Sequence, residues 1–215
     1  MGKRKIKTER RPEILDAALA IAAERGLDAV SMRTVAERVG VTPMALYGYF
    51  EGKDALLDAL VGLLLSDLPA PDPSAPWEER LELIANGARD TARRHPAVFP
   101  LLFSRPSVTP AAVLVVDLLY QALLDAGVPE AHVPRVERLV STFVLGFAVS
   151  EAGGRFSAGS ADARSRRGGP EPGHLPAHHR LAAHLDAAVD WDAEFRADLE
   201  DLMWTIKAAA ARGTG

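Results

Sequence analysis

Apolar residues along this chain recur every three or four positions, the spacing of one helix face, and no stretch alternates convincingly as a half-buried strand would. Ile14, Leu15, Ala18, Leu19, Ile21 and Ala22 form a first stripe, which Gly26 ends. Ser31 suits the N-cap of a short second helix with Val35, Ala36 and Val39 on its inner face. Gly40 offers the positive φ that a tight turn needs. Thr42 then caps a third helix, with Pro43 in the first turn, where a missing N–H costs nothing. A fourth helix starts at Lys53 or Asp54, with Ala55, Leu56, Leu57, Leu60, Val61, Leu64 and Leu65 apolar.

Residues 68–76 hold four prolines, a rigid break after the fourth helix. Helical spacing resumes over Trp77–Arg94 and stops near His95-Pro96, before a short segment at 99–103. Thr109-Pro110 opens a long helix that ends at Ala126-Gly127, and another runs from Pro129 or Pro134 to about Glu151. Residues 153–176, rich in Gly, Ser, Arg and Pro, read as a mobile loop. Two last helices are predicted at about 177–188 and 192–210. The fold class is therefore all-α, with a three-helix head over residues 1–53 and a larger helical domain over 54–215.

Charge changes the picture at one end. Residues 1–11 carry six Lys/Arg against Glu9 alone, whereas the remainder carries nineteen against twenty-eight Asp/Glu. A polyanion would be met by this tail and disfavoured by the rest. Two short helices meeting across Gly40-Val41-Thr42 directly behind a basic tail have the grammar of a helix-turn-helix, whose second helix enters the major groove of B-DNA. Candidate DNA contacts are Lys3, Arg4, Lys5 and Lys7 of the tail, Ser31, Arg33 and Thr34 of the second helix, and Thr42, Pro43, Met44, Tyr47 and Tyr49 around the third. Lys53 joins them because a cation at a helix start opposes the helix dipole, so a phosphate contact explains it better than a structural role does. One reading helix offers few base contacts; two on a symmetric site multiply affinity and specificity, which favours a homodimer.

The segment Leu46-Tyr47-Gly48-Tyr49-Phe50-Glu51-Gly52-Lys53-Asp54-Ala55-Leu56 resembles the close of the DNA-binding head in TetR-family transcriptional repressors. Ser31-Met32-Arg33-Thr34-Val35-Ala36, followed by Gly40-Val41-Thr42, matches that family's pattern upstream. The resemblance implies a homodimer on a palindromic DNA operator, a ligand-binding and dimerisation domain behind the head, and release of the operator by a small effector. Arg105-Pro106 and Ser141 to Gly146 look most like the tetracycline-repressor branch. That branch holds its magnesium–tetracycline chelate with a histidine near the short central helix, another histidine, and an acidic residue one turn beyond a glycine. The matching positions here are Leu101, Thr142 and Ser150, so that effector is not expected.

An apolar cavity with a few polar anchors would suit a small hydrophobic or aromatic effector. Its candidate lining is Leu81, Ile84, Asn86, Phe99, Leu102, Phe103, Tyr120, Thr142, Phe143 and Phe147, with Arg89, His95, Ser104 and Gln121 as further polar candidates. A dimer seam is expected on Leu139, Phe143, Gly146, Phe147 and Ser150, and on Phe195, Leu199, Leu202, Met203 and Ile206. His174, His178, His179 and His184 invite a metal reading, but a proline separates the first two and there is no Cys. Neither metal nor cofactor is expected. None of the hydrolase, P-loop, zincin or dinucleotide motifs is present, so the chain is not read as an enzyme. A helical interaction or scaffold module without DNA binding is the alternative, and the basic tail argues against it. Absence of Cys fits a reducing compartment, no apolar run follows the basic start, and the longest apolar runs are too short to span a bilayer. A cytoplasmic location and no membrane partner are expected.

Overall fold

The computed structural model describes residues 10–105, 109–155, 176–185 and 187–212. The described residues form helices and turns, without strand. In chain order the helices are α1 (Arg11–Arg25), α2 (Met32–Val39), α3 (Pro43–Tyr47), α4 (Lys53–Ser66), α5 (Trp77–Arg94), α6 (Leu101–Ser104), α7 (Pro110–Asp125), α8 (Val133–Ala152), α9 (Pro176–Arg180), α10 (Ala182–Leu185) and α11 (Trp191–Ala211).

Local chemistry sets most of these boundaries. Ser31 Oγ accepts from the Thr34 N–H, and Thr34 Oγ1 accepts in return from the Ser31 N–H, a capping box at the start of α2. Gly40 ends α2 at φ 75°; its N–H reaches the Glu37 carbonyl while the Val41 N–H reaches that of Ala36, the paired bonds of a Schellman close. Thr42 and Thr109 cap α3 and α7, each followed by Pro at the first position. One boundary departs from the sequence reading. The helix expected at 177–188 is two short pieces, α9 and α10, broken at Leu181.

The head packs α1 on α2 and α2 on α3 around Ile14, Ala18, Ile21, Val30, Val35, Leu46 and Phe50. Arg11 lays its guanidinium over the Phe50 ring at 4.4 Å and donates to the Tyr49 carbonyl, tying the start of α1 to the end of the reading segment. Helix α4 touches both parts, resting on α1 at one side and on α6 and α7 at the other. Helices α5, α7 and α8 pack mutually, and α11 lies on α8. Midway along α5, a Cβ at Gly87 would stand 2.3 Å from Pro69 Cδ, so only glycine lets the proline link seat against that helix.

Candidate nucleic-acid interface and interior cavity

The third helix presents one face inward and the rest outward. Leu46 is fully buried, whereas Thr42, Pro43, Met44, Ala45 and Tyr47 are exposed. Met44 is 79% and Tyr47 52% exposed, large apolar groups that no core contact accounts for. Thr42 Oγ1 accepts from the Ala45 N–H at 3.2 Å, so its side chain is both the cap and part of the outward face. Arg33 projects from α2 into solvent and pairs with Glu37 one turn on, which raises its pKa. Ser31 and Thr34 are half-buried, and Thr34 also donates to the Ala29 carbonyl at 2.8 Å. Their hydroxyls are thus engaged within the head. Tyr49 is half-buried and Lys53 exposed at the start of α4. Lys3, Arg4, Lys5 and Lys7 lie outside the described residues.

At the other end of α4, a cavity of about 170 Å³ opens between α4, α5, α7 and α8. Leu64, Leu65, Leu81, Ile84, Ala88, Phe99, Leu102, Ala112, Val115, Leu119, Val140 and Val144 line it, with Glu137 and Ser141 as its polar side chains. A second cavity of about 360 Å³ shares Leu65, Leu68, Ile84 and Val115 with the first.

Leu81, Ile84, Phe99 and Leu102 of the expected lining meet here; the other six do not. Asn86 is exposed on α5 and donates to the Glu82 carbonyl. Phe103 is exposed on the outer side of α6, Thr142 points outward from α8, and half-buried Tyr120 lies outside the lining. Phe143 and Phe147 turn instead toward α11: Phe143 stacks on Phe195 at 6.3 Å, and Phe147 lies 4.7 Å from Phe195 and 6.5 Å from Trp191. Aromatic size predicted burial correctly for Phe147 but not which neighbour would provide it.

That aromatic group surrounds a buried charge network. Arg89, 4% exposed, lies over the Phe147 and Phe195 rings and donates to both Glu151 carboxylate oxygens at 2.8 and 2.6 Å. It also reaches the Trp191 carbonyl and Asp192. Arg93 bridges Glu151 and Asp192 from the next turn. Burial pushes the Glu151 pKa up, but the hydrogen bonds from Arg89 and Arg93 outweigh it and hold the group below its ordinary value. Arg89 therefore joins α5, α8 and α11 rather than facing the cavity. Burial, with Arg94 nearby, lowers the pKa of half-buried His95. Ser104 and Gln121 are exposed.

Phe195, Leu199, Met203 and Ile206 are buried within the chain, so the part of the expected dimer seam that they represent is intrachain core. Leu139 remains exposed on α8 and Trp204, 73% exposed, on α11; a Cβ at Gly146 would meet open space. Of the four histidines, His174 lies outside the described residues, and His179 and His184 are exposed. No group of three metal-binding side chains occurs among the described residues. None of their helices is long and apolar enough to cross a membrane.

A capped helix-turn-helix with an outward reading face, joined to a helical body with an apolar cavity, defines a DNA-binding regulatory protein. Residues 14–60 match the bacterial regulatory proteins of the tetR family, and residues 69–209 match the tetracyclin repressor-like C-terminal domain; the chain belongs to that family of helix-turn-helix transcriptional repressors. It is 32% identical over 184 residues to the class A tetracycline repressor protein from transposon 1721 of Escherichia coli, an alignment covering 81% of this chain and 78% of that one. It is 30% identical over 140 residues to the transcriptional repressor DrrR1 of Streptomyces coeruleorubidus, covering 64% of this chain and about half, 52%, of the relative. Apo ActR from Streptomyces coelicolor shares the fold at a TM-score of 0.80 and 23% identity, over 94% of this chain and 96% of that one. ActR has also been solved in complex with actinorhodin.

Proposed function

We propose that this repressor acts in the cytoplasm as a homodimer on a palindromic operator, and that a small hydrophobic effector seated between α4, α5, α7 and α8 releases it. The observation that carries this reading is the double role of α4. Its first turn follows the reading segment directly, and its last turns supply Leu64 and Leu65 to the cavity wall. An occupant that favours a different position of α4 shifts the head with it, and operator affinity falls by the ligand's differential affinity for the two states. We divide the chain into a head over residues 1–53 and a body over 54–215, so that α4 beyond Lys53 belongs to the body.

On the DNA, the exposed face from Thr42 to Tyr47 enters the major groove; Thr42 hydrogen-bonds, and Pro43 and Met44 touch thymine methyls. Arg33 exchanges Glu37 for a base edge, while Ser31, Thr34, Tyr49 and Lys53 meet the backbone. Lys3, Arg4, Lys5 and Lys7 add phosphate contacts. Exposed Leu139 and Trp204 supply apolar area for pairing through α8 and α11. ActR's complex with actinorhodin supports a ligand in a body of this fold.

Selection of bound sequences from random duplex DNA tests the proposal. Enrichment of a palindrome with half-sites about one helical turn apart supports it. A single asymmetric half-site, or no enrichment at all, rejects it. Deleting residues 2–7 should lower affinity and reduce the salt slope by about 0.9 for each phosphate that the tail no longer neutralises.

A further inference from the structure

Four polar or charged side chains in the described part of the chain are buried: Arg80, Arg89, Thr91 and Glu137. Three are matched. Arg80 pairs with Asp125, Arg89 with Glu151, and Thr91 donates to the Gly87 carbonyl. Glu137, 9% exposed, has neither a hydrogen bond nor an ion pair among the described residues, and it lines the cavity. Helix geometry explains its direction. Val133, Val136, Val140 and Val144 make the buried stripe of α8, and Glu137 falls on that stripe, one turn after Val133 and one turn before Ser141.

A carboxyl group that lines an apolar cavity gives up water when an occupant enters, and the fold offers it no hydrogen bond in exchange. A ligand that brings its own donor replaces the water it displaces. A cationic donor does so most strongly, because hydrogen bonds between charged groups are about twice as strong as neutral ones. The volume sets the rest of the molecule. About 170 Å³ is slightly more than the ~150 Å³ apolar cavity that takes up benzene, so this space holds one ring with a short arm, and the adjoining cavity of about 360 Å³ leaves room for a larger body.

We infer that the cavity recognises an apolar amine: an aromatic or alicyclic body among the leucines and valines, and a protonated nitrogen donating to the Glu137 carboxyl. This rests on the effector reading of the cavity and narrows it to a chemical class. Ser141 Oγ, one turn along and itself in the lining, offers a second acceptor to the same nitrogen. Arg89, one of the further polar candidates from sequence, takes no part because its donors serve Glu151, Asp192 and the Trp191 carbonyl.

The test uses 2-phenylethylamine, 2-phenylethanol and propylbenzene, which share one shape and end in ammonium, hydroxyl and methyl. Each is titrated calorimetrically into the full-length protein. The amine should bind about ten-fold or more tightly than propylbenzene. Glu137→Gln should erase most of that preference while leaving propylbenzene binding equal or stronger. Equal affinities for amine and propylbenzene in the wild type, or an undiminished preference in Glu137→Gln, overturn the inference. Propylbenzene binding without an amine preference removes the carboxyl's role and leaves the effector cavity standing. No binding by any of the three counts against both. Should Glu137→Gln not fold, Glu137→Asp retracts the carboxyl by one methylene and must weaken the amine selectively.

Discussion

Replacing Arg89 with Met tests how far one side chain holds the body together. Met keeps most of the length and apolar stem while removing the guanidinium from between the Phe147 and Phe195 rings. The variant loses two bonds to Glu151, one to the Trp191 carbonyl and the ion pair with Asp192. Removing one partner of a buried pair costs about 3–5 kcal/mol when the other is left unpaired. Here Arg93 still donates to Glu151 at 2.9 and 3.2 Å, so the carboxylate keeps a partner and the lower end of that range applies. Loss of about 3 kcal/mol in a chain of this size lowers Tm by roughly 6–12 °C. Urea unfolding at fixed protein concentration measures it, so that the proposed dimerisation would contribute equally to each variant. Arg89→Met, Glu151→Met combined should be less destabilised than the sum of the singles by at least about 1 kcal/mol. Additive effects, or a single variant within about 0.5 kcal/mol of wild type, would show that the network contributes nothing beyond packing.

Three other outcomes are expected. Glu151 has a depressed folded-state pKa, so its contribution is complete above the ordinary value of 4.5 and is lost as pH falls through the lower folded value; unfolding free energy should decline below pH 4.5 more steeply in wild type than in Glu151→Gln. Arg105, at the end of α6, donates to Asp54 and Asp58 of α4. Arg105→Ala should cost no more than about 1 kcal/mol in urea unfolding, because these pairs are largely exposed, yet shift operator affinity by about 0.5–2 kcal/mol in a DNA titration; unchanged DNA binding would remove Arg105 from the coupling. Gly87→Ala gains about 1 kcal/mol of helix propensity but drives a methyl into the Pro69 ring at a cost of about 1–3 kcal/mol. Net loss in urea unfolding is expected, and a gain would mean that the proline link moves aside.

The head was legible because its determinants are local. Ser31, Gly40, Thr42 and Pro43 act on their own neighbours, and each appears in the structure in the role its chemistry suggests. The same holds for the helices opening at Trp77 and Pro110. Which face of a helix meets which neighbour is a tertiary matter, so Phe143 and Phe147 were expected in the cavity but belong to the packing against α11. Glu137 was missed, and Arg89 was given the wrong surroundings, for a different reason: acidic and basic residues on a helix usually mark its wet side. Yet Glu137 stands three and four residues from Val140 and Val133, squarely on an apolar stripe, and Arg89 follows Ala85 at the same interval. A charge in phase with the hydrophobic period was the available sign.

The seating of Pro69 against Gly87 bears on how a small occupant could matter to distant DNA. With that contact as a fulcrum just beyond Ser66, α4 becomes an arm about 21 Å long, from its 14 residues at 1.5 Å each. Leu64 and Leu65 sit on the short side, near the pivot, and Lys53 rides at the tip. A nudge of a fraction of an ångström against those leucines would therefore be magnified severalfold where the reading segment is carried. On the proposed release mechanism, glycine at position 87 would serve as the bearing surface on which Pro69 turns.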